Sequence, residues 1–204
     1  MVYGKSNFSG GTPLYSGSGG IPQYIGVQGA VLWWNDNASA LWQGSTTGAQ
    51  SAVQQPTTAA AIAVDSSGLV WADKAGALWT TSATTFGTPR QLLAPAGGVS
   101  SDILLDSLYA YFQDGLGTFY RSARDGSILT KLAAATTGDL VYQFAIDNST
   151  LYWADNSAGA IYSVPFSGSQ AVTTVATGQS GAFGIVVDSG AIYWSANELM
   201  KLAK

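Results

Sequence analysis

Carboxylates are the side chains of this sequence best suited to acid, base or metal chemistry. The chain has 204 residues and 12 acidic residues, of which eleven are Asp and one is Glu198. It contains no histidine and no cysteine. This removes the usual general base near neutral pH, the commonest zinc ligand and every thiol-based site. Catalysis would therefore have to use carboxylates, Lys, Ser/Thr or Tyr.

Asp102 is the acid that departs from the pattern of the others. Two catalytic carboxylates need to be held about 5–10 Å apart, and we expect a catalytic acid to break any repeat in the chain. Asp102 does so, because the equivalent positions hold Tyr24, Ala61, Gln143 and Gly184. An enzyme using Asp102 with another acid is therefore one alternative. Neither the spacing of a calcium loop nor a cluster of acids occurs, so we expect no metal and no cofactor.

The seven Trp residues are a second candidate for chemistry, since an indole face can stack on a sugar ring. Most of them recur in register, which favours packing between repeated units. Trp42 and Trp79 share a register with Tyr120 and Tyr162. Trp33 stands alone at its position and is the best candidate for exposure. The residues expected to pack between units are Trp34, Trp71, Phe112, Trp153 and Trp194.

One landmark repeats along the chain, an apolar or aromatic pair followed by a small residue and Asp. It reads WWND, VWAD, YFQD and YWAD, and a fifth copy, YWSA, has Ala196 in place of Asp. The second residue of the pair recurs after 37 residues and then three times after 41. Spacing this regular indicates a repeat architecture.

Each unit contains four short segments typical of strands. An apolar run ending in Asp comes first, the landmark second, and two alternating segments follow, with Gly, Ser and Asp turns between them. Helical periodicity is absent. Four short antiparallel strands per about 41 residues are typical of a β-propeller blade. The Asp after the first strand is expected to accept backbone N–H bonds in a tight turn; these residues are Asp65, Asp106, Asp147 and Asp188.

The sequence therefore predicts one all-β domain over residues 1–204, a five-bladed β-propeller of four-stranded antiparallel blades. The fifth unit holds three of its four strands, and the missing strand resembles TPLYSG at residues 12–17. We expect residues 1–17 to complete the last blade, which would close the ring and leave no long unpaired edge. Residues 1–7 are left over, either as a frayed arm or as a sign of a longer array.

The YWxD tetrapeptide at this spacing resembles the YWTD and NHL-like class of β-propellers. It is most similar to the Ala/Gly/Ser/Thr-rich versions found in exported bacterial proteins. The resemblance implies an extracytoplasmic, secreted bacterial protein, although the residues after Met1 contain no signal-peptide core. It also implies that the Asp of the tetrapeptide ties neighbouring blades, and that the junction beside Ala196 is the weakest. The residues concerned are Asp36, Asp73, Asp114 and Asp155.

The charge pattern excludes two classes of partner. The formal net charge is -4, and the eight basic residues are scattered. They form no stripe that could follow a phosphate backbone, so nucleic acid is not expected as a partner. They also form no cluster for an anionic membrane surface, and no apolar run is long enough for a membrane helix.

Binding on a propeller concentrates in the loops at one end of the ring. The loops leading from a fourth strand to the next first strand share that end with the loops between second and third strands. Their least repetitive residues mix amide, phenol and carboxylate groups, which suits a small glycan or a peptide. The candidate residues, with Trp33 added, are Gln23, Tyr24, Asp102, Tyr142, Gln143 and Phe183.

The sequence favours a monomeric, non-catalytic binding or scaffold module for a protein or carbohydrate ligand. Two alternatives stay open. One is a multivalent lectin with one site per blade, and the other is a carboxylate-dependent, glycan-active enzyme at the central funnel.

Overall fold

A computed structural model describes residues 14–15, 20–48, 51–99, 102–134, 141, 143–167 and 171–204. These residues form nineteen strands in five antiparallel sheets that follow one another along the chain. No helix in these ranges could cross a membrane.

Sheet 1 contains β1 (Pro22–Gln28), β2 (Val31–Asp36), β3 (Ala40–Ser45) and β4 (Val53–Thr58). Sheet 2 contains β5 (Ala61–Asp65), β6 (Gly68–Ala72), β7 (Leu78–Thr81) and β8 (Arg90–Gln91). Sheet 3 contains β9 (Leu104–Leu105), β10 (Tyr109–Gln113), β11 (Thr118–Ala123) and β12 (Leu129–Ala134). Sheet 4 contains β13 (Phe144–Ile146), β14 (Thr150–Asp155), β15 (Ala160–Pro165) and β16 (Thr173–Ala176); sheet 5 contains β17 (Ile185–Val187), β18 (Ala191–Ser195) and β19 (Leu199–Ala203).

The strands form because each sheet repeats one set of β-branched and aromatic side chains between tight turns. In sheet 4, Trp153 of β14 lies opposite Phe144 of β13 and Tyr162 of β15. Such aligned aromatic pairs are the cross-strand contacts that stabilise a sheet. The second strand of sheets 3 and 4 is buried on both faces, as expected of a strand covered by neighbouring sheets.

Each sheet has two faces with different partners. We call the face that packs on the preceding sheet the back face and the face that packs on the following sheet the front face. In sheet 2 the back face carries Trp71 and the front face carries Leu78. Both side chains are fully buried, because neighbouring sheets cover both faces.

The core consists of four apolar clusters, each shared by two successive sheets. They join sheets 1 and 2, sheets 2 and 3, sheets 3 and 4, and sheets 4 and 5. Among the described residues, no cluster joins sheet 5 to sheet 1. The described chain is therefore a series of sheets in which each contacts its neighbours in sequence.

The structure confirms the all-β class and the four-stranded antiparallel unit. The fifth sheet has three strands in the described part of the chain. Residues 1–13, 16 and 17 lie outside the described residues, so closure by residues 1–17 stays a prediction. The same holds for the arm at residues 1–7.

Candidate binding surface at the connectors

The connectors that lead into each new sheet lie beside the hairpin turns of the preceding sheet. Three backbone hydrogen bonds repeat this arrangement, from Ala59 N to Ser39 O at 2.8 Å, from Val99 N to Gly76 O at 2.9 Å, and from Gln179 N to Gly159 O at 2.7 Å. Each joins the turn between second and third strands to the connector that enters the next sheet. These two sets of loops therefore share one end of the molecule, as the sequence analysis expected.

Glycine is needed where two of these loops approach most closely. Gly76 and Gly98 both have positive φ, at 80° and 69°. A Cβ added to Gly76 would lie 2.7 Å from the Cα of Gly98. The hairpin of sheet 2 can therefore contact the connector to sheet 3 only because neither Gly76 nor Gly98 has a Cβ atom.

Tyr24 and Asp102 are the two candidate residues that the structure brings together. Tyr24 belongs to β1, Asp102 lies two residues before β9, and their side chains are near enough for the Asp102 carboxyl group to act on the Tyr24 phenol. Burial, with further contributions from the charge and hydrogen bond of Asp102, raises the pKa of Tyr24 to about 12. The phenol is therefore protonated at neutral pH and keeps an O–H that can donate a hydrogen bond. Because Tyr24 also packs on the clusters of sheets 1–2 and 2–3, the pair spans sheet 2 on a rigid support.

The other described candidates lie in β1 and in the connectors to sheets 4 and 5. Gln23 is exposed next to Tyr24, and Phe183 is half-exposed in the connector to sheet 5. Gln143 directly precedes β13, and its Oε1 would lie 3.1 Å from a Cβ added to Gly184 of the next sheet. Tyr142 lies outside the described residues.

The expected exposure of Trp33 is wrong. Trp33 is fully buried on the front face of sheet 1. Its indole Nε1 donates to Ala83 O at 2.7 Å, and its ring lies 6.2 Å from that of Phe86. Both partners belong to the segment between β7 and β8, which covers the ring completely. Trp33 therefore cannot contact a ligand in this structure.

We expect Trp33→Phe to lower the free energy of unfolding by about 1–2 kcal/mol more than Trp71→Phe does. Both indoles are fully buried in the cluster of sheets 1 and 2. The Nε1 of Trp71 donates to no acceptor among the described residues, whereas removal of the Trp33 Nε1 leaves the carbonyl of Ala83 unpaired. Urea unfolding of the two variants measures the difference. Equal losses would contradict a stabilising role for the Trp33 hydrogen bond.

Four of the five aromatic residues expected to pack between units belong to clusters shared by two sheets, whereas Trp34 stacks on Tyr15 and on Trp42 of its own sheet. Trp71, Phe112 and Trp153 are fully buried, and Trp34 and Trp194 are nearly so. Their rings therefore offer no free face to a sugar. This removes them as stacking platforms for a lectin with one site per sheet.

The Asp residues of the YWxD landmark bind mainly within their own sheet. Asp36 Oδ1 accepts from Ala38 N and Ala40 N, both at 2.9 Å, and Oδ2 accepts from Trp42 Nε1 at 3.0 Å. Burial alone would raise the pKa of Asp36, but these hydrogen bonds hold it below its usual value. A further bond from Gly20 N, at 3.1 Å, ties the entering chain segment to the same carboxylate.

The same clamp recurs in sheets 2 and 3. Asp73 Oδ1 accepts from Ala75 N at 2.8 Å, and Oδ2 accepts from Trp79 Nε1 at 2.8 Å. Asp114 Oδ1 accepts from Leu116 N at 2.9 Å and from Thr118 N at 2.8 Å. These bonds close the hairpin of one sheet, which corrects the implied tie between neighbouring blades for Asp73 and Asp114.

The Asp residues after the first strands accept backbone N–H bonds in tight turns, as predicted. Asp147 Oδ1, for example, accepts from Ser149 N at 2.8 Å and Thr150 N at 2.9 Å. Its second oxygen accepts from Tyr152 Oη at 3.1 Å and from Lys204 Nζ of sheet 5 at 2.6 Å.

Ion pairs from these turns to the following sheet are the ties that sequence analysis missed. Arg124 of sheet 3 pairs with Asp65 of sheet 2 at 2.5 Å, and Lys204 pairs with Asp147 in the same way. Arg124 lies four residues after Tyr120 of β11, and Lys204 lies four residues after Met200 of β19. A basic residue at that place in alternate units is the sequence signal that could have predicted these ties.

No family model and no curated protein sequence matches the chain. Its fold is similar to several solved structures at low identity. These include the computationally designed Ika8 protein (9% identity, TM-score 0.71, 90% of this chain and 58% of that one) and a catalytically inactive virginiamycin B lyase from Staphylococcus aureus with quinupristin (15%, 0.72, 92% and 68%). YCF48 bound to D1 peptide is also similar (12%, 0.61, 90% and 69%). The lyase and YCF48 are β-propeller-like, so the comparison shows a β-propeller-like fold. The chain spans 58% of the first of these structures and just over two thirds of the other two.

The surface around Tyr24 and Asp102 can accept and donate hydrogen bonds on a preformed framework. It presents a carboxylate, a protonated phenol and the amide of Gln23, while Gln143 and the half-exposed ring of Phe183 lie in the connectors to sheets 4 and 5. In the described part of the chain, no three Asp or Glu side chains gather where they could hold a metal ion. This set of groups can recognise a polar ligand that has an apolar portion.

Proposed function

We propose that this protein is a non-catalytic binding module of the YWTD-like β-propeller type, exported by a bacterium, that recognises peptide segments of another protein. The site consists of the connectors into the sheets, with Tyr24 and Asp102 at its centre. The observation that carries the proposal is the proximity of these two side chains across sheet 2, since the Asp102 carboxyl group contributes to the raised pKa of Tyr24. The pair presents polar groups at one end of a rigid scaffold, where ligands of repeat folds commonly bind.

The chemistry of the pair favours a basic peptide as the ligand. The Tyr24 phenol lies near the Asp102 carboxylate and adds a hydrogen-bond donor beside it. The formal net charge of the chain is -4, so the protein as a whole also attracts positively charged peptides. Peptides with Lys or Arg would pair with Asp102. One β-propeller-like structure of similar fold, YCF48, was solved with a bound peptide.

The proposal is tested with an array of random 12-residue peptides, followed by titration calorimetry on the peptides that bind. We expect Lys- or Arg-containing peptides to bind. Asp102→Asn should weaken them about 10-fold or more, because a hydrogen bond to a charged group contributes about 1.5–3 kcal/mol. Tyr24→Phe should weaken peptide binding less, since it removes a neighbouring donor and leaves the charge of Asp102 in place.

The matched control is Asp125→Asn, which makes the same change of charge in an exposed turn. It should leave peptide affinity within about twofold, since surface charges far from a site contribute little. Peptide binding that is equally strong in Asp102→Asn and the unchanged protein would contradict the proposed site. Binding to a glycan array with no binding to any peptide would favour the carbohydrate alternative instead.

A further inference from the structure

Arg121 of β11 places a positive charge at the junction of sheets 3 and 4. It lies opposite Tyr111 of β10, which belongs to the apolar cluster that these two sheets share. Residues directly opposite each other in neighbouring strands lie on the same face of a sheet, so Arg121 is on the front face of sheet 3. Its side chain is half-buried there. A charge at this depth is unfavourable unless other groups compensate for the lost water.

Aromatic rings hold the guanidinium of Arg121. Its Cζ lies 4.4 Å from the centroid of the Tyr109 ring and 5.7 Å from that of Phe166, which directly follows β15 of sheet 4. Phe166 also stacks on Tyr111, with ring centroids 4.8 Å apart. These cation–π contacts fix the position of the guanidinium, but they leave the N–H groups in its plane without acceptors.

Arg121 forms no ion pair in the described part of the chain, where the two ion pairs are those of Arg124 and Lys204. Its Nε is buried and donates to no acceptor there. The carboxylate of Asp106 is already engaged, since Oδ2 accepts from Tyr111 Oη at 2.6 Å and Oδ1 accepts two backbone N–H bonds at 2.7 Å. Buried N–H groups are nearly always paired in proteins, so Arg121 retains binding capacity that the described chain does not use.

The residues equivalent to Arg121 in the first two sheets are satisfied within the chain. Gln43 holds this place in sheet 1, and its Nε2 donates to Thr84 O at 2.9 Å. Thr80 holds it in sheet 2, and its Oγ1 donates to Leu69 O at 3.0 Å. Packing of the sheets therefore requires only a polar side chain that forms a hydrogen bond nearby. The charge of Arg121 goes beyond that requirement.

Apolar side chains are exposed beside the guanidinium. Tyr109 lies opposite Ala123, whose N–H donates to Ile128 O, so Ile128 continues the same row across the sheet. Ile128 is 53% exposed, and Leu108, which precedes Tyr109, is 66% exposed. We call Leu108, Tyr109, Arg121, Ile128 and Phe166 the arginine patch. Arginine among aromatic side chains is typical of the centre of protein interfaces.

We propose that the arginine patch binds the carboxylate of an Asp or Glu residue in an acidic peptide segment of another protein. The planar fork of a guanidinium fits the two oxygens of a carboxylate. The rings of Tyr109 and Phe166 exclude water from the fork, which strengthens the pairing. A carboxylate suits the patch better than a phosphate dianion does, because the charge of Asp106 also acts on Tyr111, the residue opposite Arg121.

The arginine patch lies at the end of sheet 3 away from the connectors. Tyr109 begins β10, whereas the hairpin turn beside the connectors follows the end of that strand at Gln113. The patch is therefore separate from the site around Asp102, and the two sites would bind peptides of opposite charge.

The test screens an array of random 12-residue peptides with the unchanged protein and with Arg121→Gln, a variant expected to fold because Gln43 holds the same place in sheet 1. We expect a set of Asp- or Glu-containing peptides to bind the unchanged protein. By titration calorimetry, Arg121→Gln should weaken these peptides about 10-fold or more. Lys131→Gln removes an exposed positive charge from the same sheet and should stay within about twofold. Asp102→Asn should also leave them within about twofold, which separates this site from the one at the connectors.

Nuclear magnetic resonance of the Arg121 Nε–Hε group supplies a readout that a purely structural role would not change. The signal should shift when a bound acidic peptide is added, and it should not shift with the same peptide carrying Gln in place of its acid. The proposal is overturned if no acidic peptide binds at millimolar concentration, or if Arg121→Gln binds acidic peptides as tightly as the unchanged protein does. Binding at least 10-fold tighter when phosphoserine replaces the acid would overturn the choice of a carboxylate.

Discussion

Replacement of Trp153 with Ala is expected to lower the free energy of unfolding by about 3–5 kcal/mol, the largest effect of any single substitution proposed for this protein. Trp153 is fully buried between sheets 3 and 4. Its ring centroid lies 5.0 Å from that of Phe119 and 5.5 Å from that of Tyr162. Truncation would leave a cavity in a cluster that two sheets share, so both sheets would lose packing.

Urea unfolding followed by circular dichroism measures this loss. Trp153→Phe should cost much less than Trp153→Ala, because the ring is retained and the Nε1 of Trp153 donates to no acceptor in the described part of the chain. Leu116→Ala, at an exposed turn, should stay within about 0.5 kcal/mol of the unchanged protein. A cost of Trp153→Ala no greater than that of Leu116→Ala would show that the junction of sheets 3 and 4 does not stabilise the fold.

Replacement of Arg124 with Met is expected to cost about 2–3 kcal/mol at pH 7, the second-largest effect. The Arg124 side chain is 9% exposed and pairs with Asp65, while its two Nη atoms also donate to Asp106 O and Gly68 O at 3.2 Å. Removal of the guanidinium leaves a carboxylate and two carbonyls without their donor. Since Asp65 is one-third exposed, water compensates for part of the loss, which is why the estimate is below that for a fully buried pair.

The pH dependence distinguishes an ion pair from lost packing. Burial would raise the pKa of Asp65, but the hydrogen bond and charge of Arg124 hold it below the ordinary value of 3.8. A carboxyl group with a depressed folded-state pKa contributes stability that is present above the unfolded-state pKa and lost as the pH falls through the folded-state pKa. The cost of Arg124→Met should therefore be constant from about pH 5 to 7 and should shrink as the pH falls below about 4.

Lys131→Met is the control, since it removes an exposed positive charge from the same sheet. Its cost should be small at every pH. If the cost of Arg124→Met did not change between pH 7 and pH 3, the ion pair would contribute nothing and the effect would belong to packing alone.

The repeat made most of the fold predictable. The regular spacing of Trp34, Trp71, Phe112, Trp153 and Trp194 fixes which residues of each unit are equivalent. Burial then follows from the strand period, because alternate residues of a strand lie on opposite faces of a sheet. The four-stranded unit and the turn role of Asp65, Asp106, Asp147 and Asp188 follow from the same local signals.

Contacts that depend on non-repeating segments could not be predicted in this way. Trp33 is buried by Ala83 and Phe86, which lie about 50 residues further along the chain in a segment that the other units do not share. The proximity of Tyr24 and Asp102 depends on how the sheets turn about one another. That angle results from the summed packing of whole faces and has no local signal in the sequence.

Strand register alone also does not predict which side chains are buried in the last sheet. Leu199 occupies a core position by every local criterion and is nevertheless exposed. Burial requires a second surface as well as an apolar side chain, and the pattern of sheet 5 contains no information about whether that surface is present.

The division of the core into clusters that each join two successive sheets has a consequence for synthesis on the ribosome. No cluster has to wait for a segment from the far end of the chain, since each is completed by the next unit of about 41 residues. At about 5–20 residues per second, that unit follows within roughly 2–8 s. During this interval the newest sheet has an uncovered front face, as sheet 5 has in the described part of the chain. Slow translation between units would therefore prolong the time for which a nascent chain is open to chaperones, to proteases and to other nascent chains.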